Sequence, residues 1–312
     1  MLPGRHDTGR DHDAPFLRLP VVGHAHGRDD APAEREIAPD GKATLSINGT
    51  ARTVRIDPAA PGIPIITKDF AEAAGMKPGM IEVEFRVGPT RIDGKTAVAQ
   101  IQAGTGAPYK RRIAFADRPF APGFDGVFGP ASLPDPVVRF RLRDPQPGER
   151  ITTLPMVGGG GLFGDWGSRY VIVPIEGEPM RVMLDPHDAQ SSTNAGGAVR
   201  LARAYRGQLT GATTQQEVAF GIARPLRKLV LQTPVAIGPF VMTELNVRTV
   251  DFGSTATIAD ADAPGDPDEV VVTGKGKHDP KKDWLSIGAD QLRRCSSITF
   301  DKPAKQVRLS CL

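Results

Sequence analysis

The sequence lacks any apolar run long enough to cross a bilayer. The longest, Leu229 to Met242, is interrupted by Gln232, Thr233, Pro234 and Pro239. Residues 1–30 carry Arg5, Asp7, Arg10, Asp11 and Asp13 and have no apolar core of the signal-peptide kind. The chain therefore reads as cytoplasmic, or as a mature form whose leader has been removed. An excess of one charge is also missing. The formal net charge is +3 and the Lys and Arg residues are scattered rather than massed, which argues against nucleic-acid binding. Uninterrupted helical sequence is absent too. Gly (35) and Pro (29) recur throughout the 312 residues, which excludes a helical bundle or coiled coil and favours short strands joined by turns. Hydrophobic residues, at 39%, still suffice for one large core or two smaller ones.

Residues 1–40 are polar and rich in charge and Pro, and they read as a flexible arm. From Ala43 onward apolar and polar residues alternate, as in Leu45 and Ile47, then Val54 and Ile56, the pattern of half-buried strands. Further short runs of this kind lie at 81–87, 97–101, 111–115, 137–142, 171–175, 182–184, 217–220, 226–231 and 298–309. Helical signals are confined to Lys68–Gly75, Gly197–Tyr205 and Asp290–Arg294. The expected fold class is mainly β with a few short helices.

An internal repeat organises the chain. Ile47, Gly49, Val54, Ile56, Asp57 and Pro58 recur 128 residues later as Ile175, Gly177, Val182, Leu184, Asp185 and Pro186. Each copy is a hairpin ending in Asp-Pro, followed by an Ala-rich helix. A second correspondence closes each half: Val127, Phe128 and Gly129 precede Leu133, as Leu285, Ile287 and Gly288 precede Leu292. The predicted organisation is an arm (1–40), a first lobe (41–150), a Gly-rich linker (151–167) and a second lobe (168–312). The second lobe carries an inserted polar loop at 253–283.

Two β-rich lobes, each with a hairpin ending in Asp and a later apolar-apolar-Gly strand, resemble the bilobal aspartic proteases. The small bacterial branch related to retropepsins and pepsins is the nearest likeness. The run from Trp284 to Arg294, with Ile298–Asp301 and Gln306–Leu309, looks like that family's closing segment. The resemblance covers residues 43–145 and 168–311. It implies one catalytic carboxylate per lobe, Asp57 and Asp185, facing each other across a cleft that holds an extended peptide or protein segment. In that chemistry the two carboxylates share a proton and one activates a water. No cofactor and no metal is implied.

The loops depart from the family's pattern of Asp, Thr or Ser, then Gly. Here Asp57 is followed by Pro58 and Ala59, and Asp185 by Pro186, His187 and Asp188. Proline supplies neither hydroxyl nor N–H, and Ala59 and His187 add a Cβ where the family has none. The expectation is a degenerate, peptide-binding pseudo-peptidase, with Pro58, Ala59, Pro186, His187 and Asp188 lining the cleft. The alternative is an active aspartic endopeptidase using Asp57 and Asp185. A third reading is a hydrolytic or metal-binding cluster of His187, Asp188, Asp185 and Asp57.

The remaining motifs carry less. Asp7, Thr8 and Gly9 match the family triplet but sit in the polar arm, which cannot hold a carboxylate in a cleft. His6, His12, His24 and His26 have no ordered ligand spacing. Gly159, Gly161 and Gly164 match a dinucleotide-binding spacing but open no helix. Cys295 and Cys311 are either a disulfide closing the last hairpin or two buried thiols. The segment from Glu269 to Thr273 is similar to a short motif of exported Gram-negative proteins. With the cysteines it tilts the expected location to periplasmic or secreted, a cytoplasmic one staying open. The oligomeric state is not legible.

Overall fold

The computed structural model describes residues 33–158, 167–263 and 279–312. The first-half strands are β1 (Glu34–Ile37), β2 (Lys42–Ile47), β3 (Thr50–Ile56), β4 (Ile65–Thr67) and β5 (Glu82–Val87), then β6 (Thr90–Ala103), β7 (Tyr109–Ala116), β8 (Gly126–Phe128) and β9 (Val137–Arg141). Helix α1 (Lys68–Ala73) follows β4. The rest comprises β10 (Arg150–Gly158), β11 (Arg169–Ile175), β12 (Glu178–Leu184), β13 (Ser192–Asn194) and β14 (Gly207–Ala219). These are followed by β15 (Ile222–Ile237), β16 (Phe240–Arg248), β17 (Trp284–Ile287), β18 (Cys295–Asp301) and β19 (Gln306–Cys311). Helix α2 (Ala195–Tyr205) follows β13 and α3 (Ala289–Leu292) follows β17. The fold is mainly β, as the alternation predicts, and among the described residues the three α-helices fall where the three helical signals lie.

The repeat in sequence is a repeat in topology. In the first half the hydrogen-bonded order is β2-β3-β8-β4-β7-β6-β5; in the second, β11-β12-β17-β13-β16-β15-β14 runs through the equivalent strands in the same order. In both, the hairpin's second strand pairs parallel with the apolar-apolar-Gly strand: β3 with β8, and β12 with β17. Both hairpins turn through two residues of positive φ, Asn48 with Gly49 and Glu176 with Gly177, a geometry whose twist suits a two-residue hairpin. Each half then caps its helix with a side chain: Thr67 accepts from the Phe70 N–H and Asn194 from the Gly197 N–H.

The halves differ in closure. β2 also pairs with β6, which closes six strands of the first half into a barrel with β5 as a flange. The equivalent edge of β11 is taken by β10 instead, so the second half stays open and continues through β10, β19, β18, β9 and β1. The hairpin β18–β19 thus lies between β9 of the first half and β10. Every residue of β18 is buried, as a central strand requires. Cys295 and Cys311, directly opposite in that hairpin, are disulfide-bonded.

Two boundaries need correction. Glu34–Ile37, expected in the arm, is a strand parallel to β9. Residues 151–158, expected as linker, belong to β10, with Met156 buried; Thr and Leu at alternate positions satisfy a strand whose partners lie far away in sequence. The inserted loop is partly anchored. Leu209 donates to the Ala259 carbonyl at 2.9 Å, and Arg227 grips both oxygens of Asp260 at 2.5 and 2.9 Å. Residues 1–32 with the Asp7 triplet and the four histidines, the glycines at 159–164 and the Glu269 segment lie outside the described residues.

The core runs through both halves and includes Val54, Ile56, Phe70 and Phe128 of the first and Val182, Leu184, Leu285 and Ile287 of the second. Each fully buried aliphatic or aromatic side chain there contributes about 1.5–3 kcal/mol. A separate cluster around Ala60, Val87, Ala219 and Phe220 lies beneath two hairpin tips. Residues 33–312 form one compact unit.

Candidate functional site

Asp57 and Asp185 occupy the same place in the two halves, immediately after β3 and β12. Each backbone N–H continues the parallel ladder, Asp57 to the Phe128 carbonyl and Asp185 to the Ile287 carbonyl, both at 2.9 Å. The chain then folds over the glycine that ends the neighbouring strand. A Cβ on Gly129 would stand 2.8 Å from the Ala60 carbonyl oxygen, and one on Gly288 2.5 Å from the Gln190 carbonyl carbon. Only glycine fits such an approach.

Proline after each Asp removes one donor, but the following residues reach back. The Ala59 N–H donates to Asp57 Oδ1 at 2.8 Å. The His187 and Asp188 N–H groups donate to Asp185 Oδ1 at 3.0 and 3.1 Å. The orienting backbone bonds expected to be lost with the family's glycine are therefore present. What is missing is the hydroxyl of the residue after each Asp.

Both carboxylates line one cavity of about 820 Å³. Its roof comes from two hairpin tips: Phe85–Pro89 between β5 and β6, and Val218–Phe220 at the end of β14. The tips meet through aromatic rings, with Phe220 5.3 Å from Phe85 and 5.1 Å from Phe120 between centroids. The Phe220 N–H donates to the Phe120 carbonyl at 3.1 Å.

Of the residues expected to line the cleft, Ala59 does so; Pro58, Pro186, His187 and Asp188 lie outside the cavity's lining. The loop directs them away. His187 turns towards Gly41 and Ile56, and burial, with the Arg55 charge second, holds its imidazole below the ordinary value and neutral. Asp188 is buried, accepts from Gln216 Nε2 at 2.8 Å, and ties its loop to β14. Among the described residues no group of three or more His, Cys, Asp and Glu is arranged to hold a metal ion.

Sequence reasoning missed Arg55. It lies two positions before Asp57, on the same face of β3, and period-two spacing was the available signal. Its Nη2 stands 3.1 Å from Asp57 Oδ2, and the Asp57 side chain is only 4% exposed. The residue at the equivalent position in the second half is Met183, which also lines the cavity. This asymmetry, with the Asp188 charge beside Asp185, distinguishes the surroundings of the two acids. Burial pushes the Asp57 carboxyl up, while Arg55 and the Ala59 N–H oppose it. Among the described residues Asp185 makes no ion pair with Arg or Lys; burial first, then the Asp57 and Asp188 charges, push it up to about 7. Burial raises both carboxyls, and of the two Asp57 is the one with a guanidinium ion-paired to it.

Comparison with protein-family models and with curated proteins finds no match for the chain.

Proposed function

We propose that the chain is an aspartic-protease-like protein of two homologous lobes that binds an extended peptide or protein segment between them without cleaving it. The support is the twofold repeat of strand order, an acid loop over a glycine in each half, and two hairpins spanning the cavity above both acids. Hairpin edges offer an extended peptide main-chain hydrogen bonds, and this binding needs no catalytic water.

The observation that carries the non-catalytic reading is the ion pair of Arg55 with Asp57 at 3.1 Å. A proteolytic dyad requires two carboxylates to share one proton around a water. A guanidinium on Asp57 Oδ2, with a backbone N–H on Oδ1, engages both oxygens of the acid that would serve as base. No hydroxyl follows either Asp to lock the two loops to each other. An active endopeptidase is the second reading, favoured by two buried, interacting carboxyls both raised above the ordinary range, Asp185 to about 7, as two acids that share a proton are. The disulfide supports a periplasmic or secreted location, where thiols are oxidised.

The test is incubation of the full chain with a denatured protein from about pH 3 to 7, the range in which paired carboxylates titrate. The expected result is no cleavage. Pepstatin-sensitive cleavage that disappears in both Asp57→Asn and Asp185→Asn would overturn the non-catalytic reading and establish the enzyme.

A further inference from the structure

The cavity's charges are not balanced. Of its basic lining residues, Arg55 is neutralised by Asp57 and Arg86 by Glu84 at 2.6 Å. Arg181, Arg248 and Lys282 remain, all on the second-half wall and grouped about Trp284. Arg181 on β12 is the register partner of Trp284 on β17. The Arg248 guanidinium lies 4.8 Å from the Trp284 ring centroid, and the Asn194 side chain donates to the Lys282 carbonyl at 3.0 Å. The register pairs Asn194 with Arg248, which brings Lys282 into the same corner.

Two acids of this wall are already engaged. Asp251 is gripped by Arg224 at 2.6 Å, and Asp283, beside Lys282 in sequence, by Arg200 at 3.3 Å. Among the described residues neither Arg181 nor Lys282 has a carboxylate partner; each rests on an aromatic face, Tyr170 at 5.3 Å and Phe252 at 4.8 Å. Among the described residues the ion-pair partner of Arg248 is Asp188, at 4.0 Å, with Asp251 and Asp185 acting on it at longer range, and its Nε is buried without a hydrogen-bond partner. Burial, the largest influence on Arg248, disfavours its charge, so an incoming anion would relieve a cost already present in the free protein. Cations stacked on aromatic rings keep their N–H edges free and preorganised for a carboxylate.

We infer that Arg181, Arg248 and Lys282 around Trp284 form a carboxylate-binding subsite, so that the cleft selects acidic peptide segments. The inference rests on the peptide-binding reading and names its ligand class. An acidic side chain and a free C-terminus present the same group, and both fit the subsite.

Calorimetric titration of the full chain with matched hexapeptides tests this. One peptide is neutral and blocked at both ends; the second has one central Glu, the third one central Lys, and the fourth is neutral with a free C-terminus. The Glu peptide, the free-acid peptide or both should bind about tenfold tighter than the blocked neutral one, the gain of a charge-assisted bidentate contact. The arm that gains identifies the source of the carboxylate. In Lys282→Gln and Arg181→Gln, both exposed positions whose substitution spares the core, the preference should shrink by severalfold. Arg248→Gln should abolish it, with melting curves confirming that the variant folds. Equal affinity for all four peptides, or an unchanged preference in the exposed-site variants, overturns the subsite and leaves peptide binding standing. Binding of none of them overturns peptide binding and the subsite together.

Discussion

At the scale of single residues, the site turns on one position of the repeat, Arg55 in the first half against Met183 in the second. The cation makes Asp57 and Asp185 unequal, and the inequality has a thermodynamic signature. Asp185 is raised from 3.8 to about 7 in the folded protein, first by burial and then by the Asp57 charge. Between those values the native state holds a proton that the unfolded chain has released, so stability falls as pH rises through the window and levels off above it. Asp185→Asn removes this titration. The melting temperature of the wild type should therefore drop relative to the variant from about pH 4 to 7, by an amount equivalent to a few kcal/mol. Thermal melts of both proteins at several pH values measure it; a wild-type-minus-variant difference independent of pH would contradict the assignment.

At the scale of elements, aromatic rings join the two hairpins over the cavity. Phe220 is the hub, touching Phe85 from the first-half hairpin and Phe120. Gly88 at the opposite tip packs against the Arg224–Asp251 pair so closely that its Cβ would collide with the Asp251 carboxylate. Phe220→Ala removes the hub while leaving both carboxylates untouched. It should cost about 3 kcal/mol, as large-to-small changes at buried aromatics do. Hydrogen exchange should accelerate selectively over residues 85–92 and 216–224. Uniform acceleration across the chain would mean that the hairpins open only with the rest of the fold.

At the scale of the molecule, the two halves repeat one strand order yet are not independent. The β18–β19 hairpin belongs to the second half by sequence but lies between β9 and β10. Expressed alone, residues 168–312 would expose the β18 edge that normally faces β9, the side of a fully buried strand. That fragment should be insoluble by itself and recover solubility when residues 33–158 are co-expressed. A soluble, cooperatively melting fragment would show that the shared sheet contributes little.

The mainly β class, the position of each acid loop and the glycine behind it follow from the sequence alone. They are local patterns of period two, turn residues and tight approach, and they occur twice. Arg55 was readable by the same period, because residues two apart share a strand face. The strands β1 and β10 were not readable: EREI and a Thr-rich run carry weak signals, and their partners are set by pairings across the chain. The outward turn of His187 and Asp188 also belongs to tertiary structure, since a loop's direction depends on what it packs against. The same holds for the basic wall. Arg181, Arg248 and Lys282 are scattered charges in sequence, and only the pairing of β12 with β17 and of β13 with β16 brings them to one ring.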